Sequence, residues 1–460
     1  MKCVVGIDLG STTTKAVLLD ERGEPLGRGI TNSRSDYDIA CAVAREEALT
    51  QARFDLLARA LGADSAAAEL LPHLHEAFRL ELYRGELAAL AEEIERVVAE
   101  PGFAADRADL RAAVAEVLAD AARAGAELFA VGVERRSDFF RDLAGAAFSA
   151  GAEAVAGRGK LRFERLLSLW DRAILAVETR LQPRPFAALL SQGLSRALAL
   201  CPQRDEAAAD ALRVAADATA AEPLEEMTFV GTGYGRQTLP FPKEAIRSEI
   251  LCHGRGAHAS FPQTRTVLDI GGQDTKAIQI DGEGMVRTFQ MNDRCAAGCG
   301  RFLGYLADEL NLGLHELGPL ALTARRAVRV SSTCTVFAGS ELRERLALGE
   351  RREDVLAGLH RAMMLRAMSL LARSGGVSDE LTFTGGVSRN AMAVRVLREL
   401  VAESYGAGIR INVHPDSIYT GALGAALFAR DNLRAGRALA PQPGDGEAAA
   451  AAGGERRGAA

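Results

Sequence analysis

The sequence has few aromatic residues and no long uninterrupted apolar run. Only 5% of its 460 residues are aromatic, and no apolar run approaches the roughly 20 residues of a membrane-spanning helix. The first residues, MKCVVGIDLGS, lack the long apolar region of a signal peptide. Acidic and basic residues are interspersed at a net charge of −6, so there is no basic stripe to bind nucleic acid or a membrane surface. We therefore expect a cytoplasmic protein that binds neither.

The seven cysteines do not indicate a disulfide framework, because their number is odd and they are scattered along the chain. Metal binding, redox chemistry and simple burial remain as their roles. Four of them stand in apolar strand-like or helical contexts and are interpreted as core thiols: Cys3, Cys41, Cys201 and Cys252. The other three are Cys295, Cys299 and Cys334.

Two segments of the chain repeat one pattern of strands. Residues 1–32 predict three strands, CVVGIDLG, TTKAVLLD and LGRGITN, and residues 264–292 repeat strand, glycine-rich turn, strand, Asp-Gly hairpin and strand. Two similar halves usually pack face to face around a cleft. The region between them is rich in Ala, Leu, Glu and Arg and predicts an all-α insertion. The predicted segments are the first part of an N-terminal lobe (1–35), the insertion (36–225), the rest of that lobe (226–263), a C-terminal lobe (264–430) and a disordered tail (431–460).

A glycine-rich turn follows the first strand of each half. The turn in GIDLGSTTTK lets the backbone approach a phosphate closely and offers hydroxyl and amide donors, a cation, and a carboxylate that can hold magnesium through water. The residues that supply these groups are Gly10, Ser11, Thr12, Thr13, Lys15 and Asp8. LDIGGQDTK repeats the arrangement with Asp269, Gly271, Gly272, Gln273, Asp274 and Lys276. Either turn alone is a weak signal, because Asp-x-Gly is common in hairpins. Two facing copies are a much stronger indication of phosphate binding.

A third motif, LTFTGGVSRN at residues 381–390, predicts a buried strand, a glycine pair and a helix. Gly385 and Gly386 would leave room for a base and ribose, and Asn390 is a further nucleotide-binding candidate. The start of any α/β unit fits the same pattern. In this order and spacing the three motifs resemble the acetate kinase, sugar kinase, Hsp70 and actin superfamily. That resemblance implies an α/β fold of duplicated ribonuclease-H-like lobes around a cleft for ATP and Mg²⁺.

The segment SEILCHGRGAH places Glu249 and His253 four residues apart, and so on one face if it is helical. They could reach the γ-phosphate side and help position water as acid or base groups. A surface pair is the open alternative, and His258 is interpreted as structural. The predicted catalytic residues are Asp8, Glu249, Gln273 and Asp274.

Cys295 and Cys334 each precede a helical pattern, GRFLGYLADEL and TVFAGSELRERLA. The positive end of a helix favours an anionic thiolate. Two thiolates do not complete a zinc or iron–sulfur site, which takes four protein ligands. A dimer in which each subunit gives two thiolates would complete such a four-ligand site. The alternative is that both are small packing residues at tight helix starts.

Five motifs, NDRCAAGCGRFL, CTVFAGSE, DIGGQDTK, GTGYGR and TGGVSRN, resemble the BadF/BadG/BcrA/BcrD ATPase family. The resemblance covers residues 1 to about 35 and 226 to 430. It implies one 4Fe-4S cluster bridging two ATPase subunits, with Cys295 and Cys334 as the ligands from this chain. The second subunit would be a shorter paralogue or an identical chain. The other implied partners are ferredoxin and substrate-binding reductase subunits.

That family includes activators of 2-hydroxyacyl-CoA dehydratases and the ATPase subunits of class I benzoyl-CoA reductase. The long insertion is similar to that of the larger reductase ATPase subunit, and Cys299 stands where the activators usually have threonine. We therefore expect an ATPase subunit that couples ATP hydrolysis to electron delivery from ferredoxin for dearomatisation of benzoyl-CoA. The alternatives are a dehydratase activator, a reductase for a substituted aroyl-CoA, a small-molecule kinase of the same superfamily and a nucleotide switch without redox chemistry.

Overall fold

A computed structural model describes residues 1–33, 36–135, 137–159, 161–182, 185–202, 205–233, 239–293, 295, 298–330 and 335–437, with the side chains of 335 and 336 excepted. The chain divides into two compact units. The helical unit contains Met1 and the described residues of 34–225, and the two-sheet unit contains residues 2–33 and the described residues from 226 onward.

The helical unit contains only helices among its described residues between 36 and 221. The α-helices are α1 (Tyr37–Leu61), α2 (Leu71–Val98), α3 (Arg107–Leu128), α4 (Phe140–Ala156), α5 (Phe163–Glu178), α6 (Phe186–Leu200) and α7 (Glu206–Ala221), and short 3-10 helices lie at Ala68–Leu70 and Pro101–Phe103. An aspartate side chain caps the first and the last of these helices, since Asp36 accepts a hydrogen bond from Ile39 N and Asp205 from Ala207 N. The all-α prediction for this region is confirmed.

Helix α2 supplies side chains to two separate apolar cores of the helical unit. Leu90 and its neighbours pack with α3, α4 and α5, where the rings of Phe148 and Trp170 lie 5.2 Å apart. Phe78 packs with α1, α6 and α7, with its ring 5.2 Å from that of Phe54. Since the two cores lie along one helix, α2 is the central element of this unit.

The two-sheet unit is built on two sheets whose first three strands repeat one another. The first sheet has the order β3-β2-β1-β4, from β1 (Lys2–Leu9), β2 (Thr13–Asp20), β3 (Pro25–Asn32) and β4 (Glu225–Gly233). The second has the order β7-β6-β5-β8-β9, from β5 (Thr264–Ile270), β6 (Thr275–Ile280), β7 (Val286–Asn292), β8 (Glu380–Thr384) and β9 (Arg410–Asn412). Strand β8 lies parallel to both β5 and β9. The strands predicted for the two repeats are confirmed.

The α-helices described in the two-sheet unit are α8 (Glu249–Ser260), α9 (Gly300–Leu310), α10 (Leu314–Leu322), α11 (Thr335–Ala347), α12 (Arg352–Ser374), α13 (Ala391–Tyr405) and α14 (Thr420–Arg434). Helices α8 and α14 cross so closely that a Cβ on Gly424 would overlap the carbonyl of Cys252. Within the described residues, α12 is the one helix long and apolar enough to cross a membrane, but 67% of its most apolar window is buried inside the protein. It is a core helix.

Helix α14 continues past residue 430, where the predicted C-terminal lobe ends, so the predicted start of the disordered tail at 431 is corrected. Arg434 ends the helix and donates a hydrogen bond to the carbonyl of Glu21, and Asn432 is buried. These contacts with the rest of the unit extend the helix. Residues 438–460 lie outside the described part of the chain, and the boundary at 263 stays a prediction.

Candidate active site

The two glycine-rich turns predicted to bind phosphate lie against each other. A Cβ built on Gly272, between β5 and β6, would overlap the hydroxyl of Thr12, between β1 and β2. Ser11 and Thr12 are exposed, while Thr13 and Gln273 are half-buried. The hydroxyls and backbone of both turns therefore lie in one place on the two-sheet unit.

The first turn holds a lysine beside its hydroxyls. Lys15 Nζ donates a hydrogen bond to the carbonyl of Thr13 over 3.2 Å. A Cβ on Gly10 would lie 2.7 Å from that carbonyl oxygen and 3.3 Å from Lys15 Nζ, so the turn needs glycine at this position. An ammonium group fixed next to exposed hydroxyls can meet a phosphate there.

An aspartate near the end of the first strand of each half occupies an equivalent position in the sheet. Asp8 on β1 pairs across the sheet with Lys15 on β2, and Asp269 on β5 pairs with Lys276 on β6. Asp8 and Asp269 are 4% and 2% exposed. Among the described residues, Asp8 Oδ1 has no hydrogen-bond partner, whereas Asp269 Oδ1 accepts a hydrogen bond of 2.8 Å from the Thr384 hydroxyl. The two aspartates therefore share a position but differ in their contacts.

Lys276 is enclosed by carboxylates, and its side chain is 1% exposed. Its Nζ atom lies 2.8 Å from Asp274 Oδ2, 2.9 Å from Glu249 Oε1 and 3.4 Å from Asp269 Oδ2. Burial by itself would lower the pKa of Lys276, but the neighbouring carboxylates outweigh burial and raise it. The charged ammonium thus holds these groups together, and its predicted contact with phosphate stays a prediction.

Helix α8 brings two polar side chains to the same cluster. Glu249 is its first residue and His253 lies one turn further on, so both side chains share a face. His253 Nδ1 lies 3.4 Å from Asp269 Oδ1, and His253 Nε2 lies 3.8 Å from Glu249 Oε1. Glu249 and His253 are 16% and 6% exposed at their side chains. The alternative of a surface pair is therefore wrong.

Burial and charge shift the pKa values of the three aspartates in different directions. Burial raises the pKa of Asp8, since the neighbouring cations do not offset it. Burial also raises the pKa of Asp274 against the charge of Lys276. Burial opposes ionisation of Asp269 as well, but the charges of His253 and Lys276 prevail and lower its pKa to about 2. Asp269 is thus held as a carboxylate, while Asp8 is more easily protonated than an exposed aspartate.

The third predicted motif lies beside the second turn. Gly385 follows β8 with a φ of 83°, and a Cβ there would lie 2.9 Å from Asp269 Oδ1. A Cβ on Gly386 would meet nothing within 4 Å, so the surface at that residue is open. Asn390 Oδ1 accepts a hydrogen bond of 3.0 Å from Ala393 N and caps α13. Contact between Asn390 and a nucleotide therefore stays a prediction beside this structural role.

Hydrogen bonds connect the second glycine-rich turn to the start of α9. The carbonyl of Gly271 accepts a hydrogen bond from Gly300 N, and the carbonyl of Gly272 accepts one from Arg301 N, both at 2.8 Å. A displacement of this turn would break both bonds unless α9 moved with it. The second glycine-rich turn and α9 are therefore mechanically linked.

The cysteines ahead of α9 differ in exposure. Cys295 is exposed, and its carbonyl accepts a hydrogen bond of 3.1 Å from the side-chain amide of Asn292. Cys299 is buried at the N-cap position of α9, and burial raises its pKa. Cys334 lies outside the described residues. Within the part of the chain that the structure describes, no three His, Cys, Asp or Glu residues are grouped to hold a metal ion.

Of the four predicted core thiols, three are buried, namely Cys3, Cys41 and Cys252, whereas Cys201 is half-buried at the end of α6. Burial raises the pKa of Cys252 to about 12. A thiol with such a pKa is not ionised near neutral pH. The interpretation as an inert thiol is strongest for Cys252.

Two residues near the aspartates were not found from the sequence. Thr384 holds Asp269, and Gly421 on α14 lies where a Cβ would be 2.7 Å from Asp8 Oδ2. Thr384 stands directly before the glycine pair of the third motif, which could have drawn attention to it. Gly421 lies in a helical segment rich in alanine, and nothing in that pattern indicates a site.

Facing glycine-rich turns, equivalent Asp–Lys pairs and duplicated sheets define an ATPase of the acetate kinase, Hsp70 and actin superfamily. The chain matches the BadF/BadG/BcrA/BcrD ATPase family over residues 5–429 and belongs to it. It is 43% identical over 206 residues to the (R)-2-hydroxyglutaryl-CoA dehydratase activating ATPase of Acidaminococcus fermentans, which is 45% of this chain and 76% of that protein. It is 36% identical over 203 residues to a benzoyl-CoA reductase subunit of Thauera aromatica, 44% of this chain and 71% of that one.

The fold is shared with a solved relative. The crystal structure of component A of the Acidaminococcus fermentans (R)-2-hydroxyglutaryl-CoA dehydratase superposes with a TM-score of 0.52 at 22% identity, covering 94% of this chain and all of that one. At this level of sequence identity, the comparison shows that the two proteins share a fold. The predicted fold class and the predicted family are both confirmed.

Proposed function

We propose that this ATPase drives electrons into a partner enzyme that acts on a CoA thioester. The observation that supports the proposal is the pair of hydrogen bonds from Gly271 and Gly272 to the start of α9. Through these bonds a change at the phosphate turn reaches the turn that contains Cys295. Nucleotide turnover would then alter how a cluster held by that cysteine is oriented and exposed.

The residues present fit a magnesium nucleotide. Asp8 Oδ1 is buried without a hydrogen-bond partner in the described residues, and a buried carboxylate oxygen requires compensation. Asp8 would hold Mg²⁺ through water, while Lys15 and the hydroxyls of Ser11 and Thr12 would bind phosphate. ATP would supply the phosphoanhydride whose hydrolysis drives the change. Glu249 Oε1 lies 2.9 Å from Lys276 Nζ, and Glu249 would orient a water molecule at the same site.

The exposed Cys295 fits a ligand shared with a second subunit. A thiol on the surface ahead of a helix can meet a second chain. Cys295 and Cys334 would give two of the four ligands that a 4Fe-4S cluster needs. Such a cluster would supply one electron at low potential. The other two ligands would come from a shorter paralogue or an identical chain, with ferredoxin as the electron donor.

Two partner classes remain, and different observations favour each of them. The identity of 43% to a dehydratase activating ATPase, against 36% to a benzoyl-CoA reductase subunit, favours the activator. The helical unit of residues 34–225, with two cores of its own, favours the larger ATPase subunit of benzoyl-CoA reductase. We place the activator first, because the identities cover similar lengths of both relatives.

The function is tested by anaerobic purification of the full chain with its second subunit. The redox function predicts about four irons per pair of ATPase subunits. The reduced protein is then mixed with ATP and either a 2-hydroxyacyl-CoA dehydratase or the substrate-binding subunits of benzoyl-CoA reductase. ATP-dependent turnover of a 2-hydroxyacyl-CoA supports the activator, and reduction of benzoyl-CoA supports the reductase. Iron-free protein that phosphorylates a small alcohol would identify a kinase instead.

A further inference from the structure

His253 on α8 lies between the two equivalent aspartates of the repeat. Its Nδ1 atom is 3.4 Å from Asp269 Oδ1 in the second half. On the other side, a Cβ built on Gly421 would be 2.9 Å from His253 Nε2 and 2.7 Å from Asp8 Oδ2 in the first half. The Nδ1 edge of the imidazole therefore faces Asp269, and the Nε2 edge faces both Glu249, at 3.8 Å, and the small space that His253 shares with Asp8.

Two atoms of this arrangement are buried without a hydrogen bond among the described residues. They are Asp8 Oδ1 and His253 Nδ1, and the latter lies near Asp269 without hydrogen-bond geometry. Buried polar atoms are nearly always hydrogen-bonded, because leaving one unpaired costs the protein its desolvation free energy. Two such atoms on neighbouring side chains indicate a site prepared for a ligand.

The cluster carries more carboxylates than cations. Its carboxylates are Asp8, Glu249, Asp269 and Asp274, and its lysines are Lys15 and Lys276. Lys276 contacts the last three carboxylates. The His253 imidazole contacts Asp269 and borders the space beside Asp8. Like charges brought together in a buried site repel each other strongly unless a donor or cation intervenes.

We propose that His253 is a positioning residue for ATP hydrolysis, which keeps Asp8 and Asp269 at a fixed separation and so places Asp8 to hold hydrated magnesium. It acts through the two aspartates and does not touch the phosphates. Gly421 is part of the same arrangement, because any side chain at this position would displace both the His253 imidazole and the Asp8 carboxylate. The inference rests on the proposed nucleotide site but not on the electron-transfer function.

The first test replaces His253 by leucine in the full-length protein, which keeps most of the volume and removes the polar edge. A misplacement of about 1 Å at a reacting centre costs on the order of a hundredfold in rate. We expect kcat for ATP hydrolysis to fall by about that factor and the half-saturating Mg²⁺ concentration to rise. The KM for ATP at saturating Mg²⁺ should stay near that of the wild type.

Two further variants separate positioning from folding. His253→Asn places an amide near the position of Nδ1 and should recover part of the lost rate, whereas a role in packing alone would not be rescued by the smaller polar residue. His258→Gln is the matched control, because His258 lies on the same helix and is only half-buried. It should keep the kcat and the Mg²⁺ dependence of the wild type.

If His253→Leu folds and keeps both kcat and the Mg²⁺ dependence, the proposal is wrong. If His253→Leu does not fold, the Gly421→Ala variant tests the proposal instead, since it moves the side chains of Asp8 and His253 without replacing either residue. An unchanged kcat in Gly421→Ala overturns the proposal. Absence of ATP hydrolysis by the wild-type chain would overturn both this inference and the proposed function. Normal hydrolysis without electron delivery to any partner would overturn the proposed function alone.

Discussion

The amide of Gly300 donates a hydrogen bond of 2.8 Å to the carbonyl of Gly271. The first residue of α9 is thereby attached to the turn predicted to bind phosphate. Arg301 makes the equivalent bond to Gly272, so the first turn of the helix follows that loop. Few residues separate this point from the exposed Cys295, and a displacement of the loop has a short path to the cysteine.

The proposed ligand role of Cys295 predicts that Cys295→Ser loses its iron but keeps ATP hydrolysis. Serine is similar in size, and the side chain is exposed, so little change in folding is expected. Iron content and visible absorbance measure the first effect, and phosphate release measures the second. Cys201→Ser, a half-buried cysteine of the helical unit, is the control. Full iron content in Cys295→Ser would remove this residue from the ligand set.

Close contact between the two glycine-rich turns predicts that Gly272→Ala weakens nucleotide binding. The new Cβ would overlap the Thr12 hydroxyl and force the turns apart. Calorimetric titration with a non-hydrolysable ATP analogue should show an affinity lower by about tenfold or more, which corresponds to a loss of about 1.4 kcal/mol. Gly408→Ala is the control, because a Cβ there meets nothing within 4 Å. Equal affinities of the two variants would contradict the proposed phosphate site.

Enclosure of Lys276 by carboxylates predicts a large loss of stability in Lys276→Met. Removing one partner of a buried ion pair leaves an uncompensated charge and costs about 3–5 kcal/mol in the free energy of unfolding. Differential scanning calorimetry should show a lower unfolding temperature. Tryptophan fluorescence is unsuitable, because the chain has a single tryptophan and Trp170 lies in the helical unit. Lys243→Met at an exposed lysine should leave the transition unchanged.

The lowered pKa of Asp269 predicts a stability that depends on pH in the acid range. Its pKa is about 2 in the folded protein, below the ordinary value of 3.8. Its contribution is therefore complete above about pH 4 and is lost as the pH falls through about 2. A shift of this size corresponds to roughly 2–3 kcal/mol. Unfolding of Asp269→Asn should depend less on pH between about 4 and 2 than unfolding of the wild type, whereas Asp64→Asn at an exposed aspartate should match the wild type.

Local sequence patterns were enough to predict the strands and their repeat. They also predicted α9, the helix that follows Cys295. The alternation and turn residues of residues 1–32 and 264–292 locate β1 to β3 and β5 to β7, because hairpin geometry depends on neighbouring residues. The pattern GRFLGYLADEL likewise matches α9. By contrast, α14 passes the predicted start of the tail, because Arg434 and Asn432 make contacts with distant parts of the unit.

The sequence by itself determined the family and offered the candidate residues of the site, because the glycine-rich motifs occur together in one order and spacing, although each motif alone is common. The tertiary structure decided which of these side chains contact one another. Lys15 and Lys276 occupy equivalent positions in the two halves, yet only Lys276 is enclosed by carboxylates. Asp274 of the second turn supplies one of these carboxylates where the first turn has Thr13, and α8 brings Glu249 to Lys276 from outside the repeat. Contacts between elements distant in the chain depend on packing, which no local pattern records.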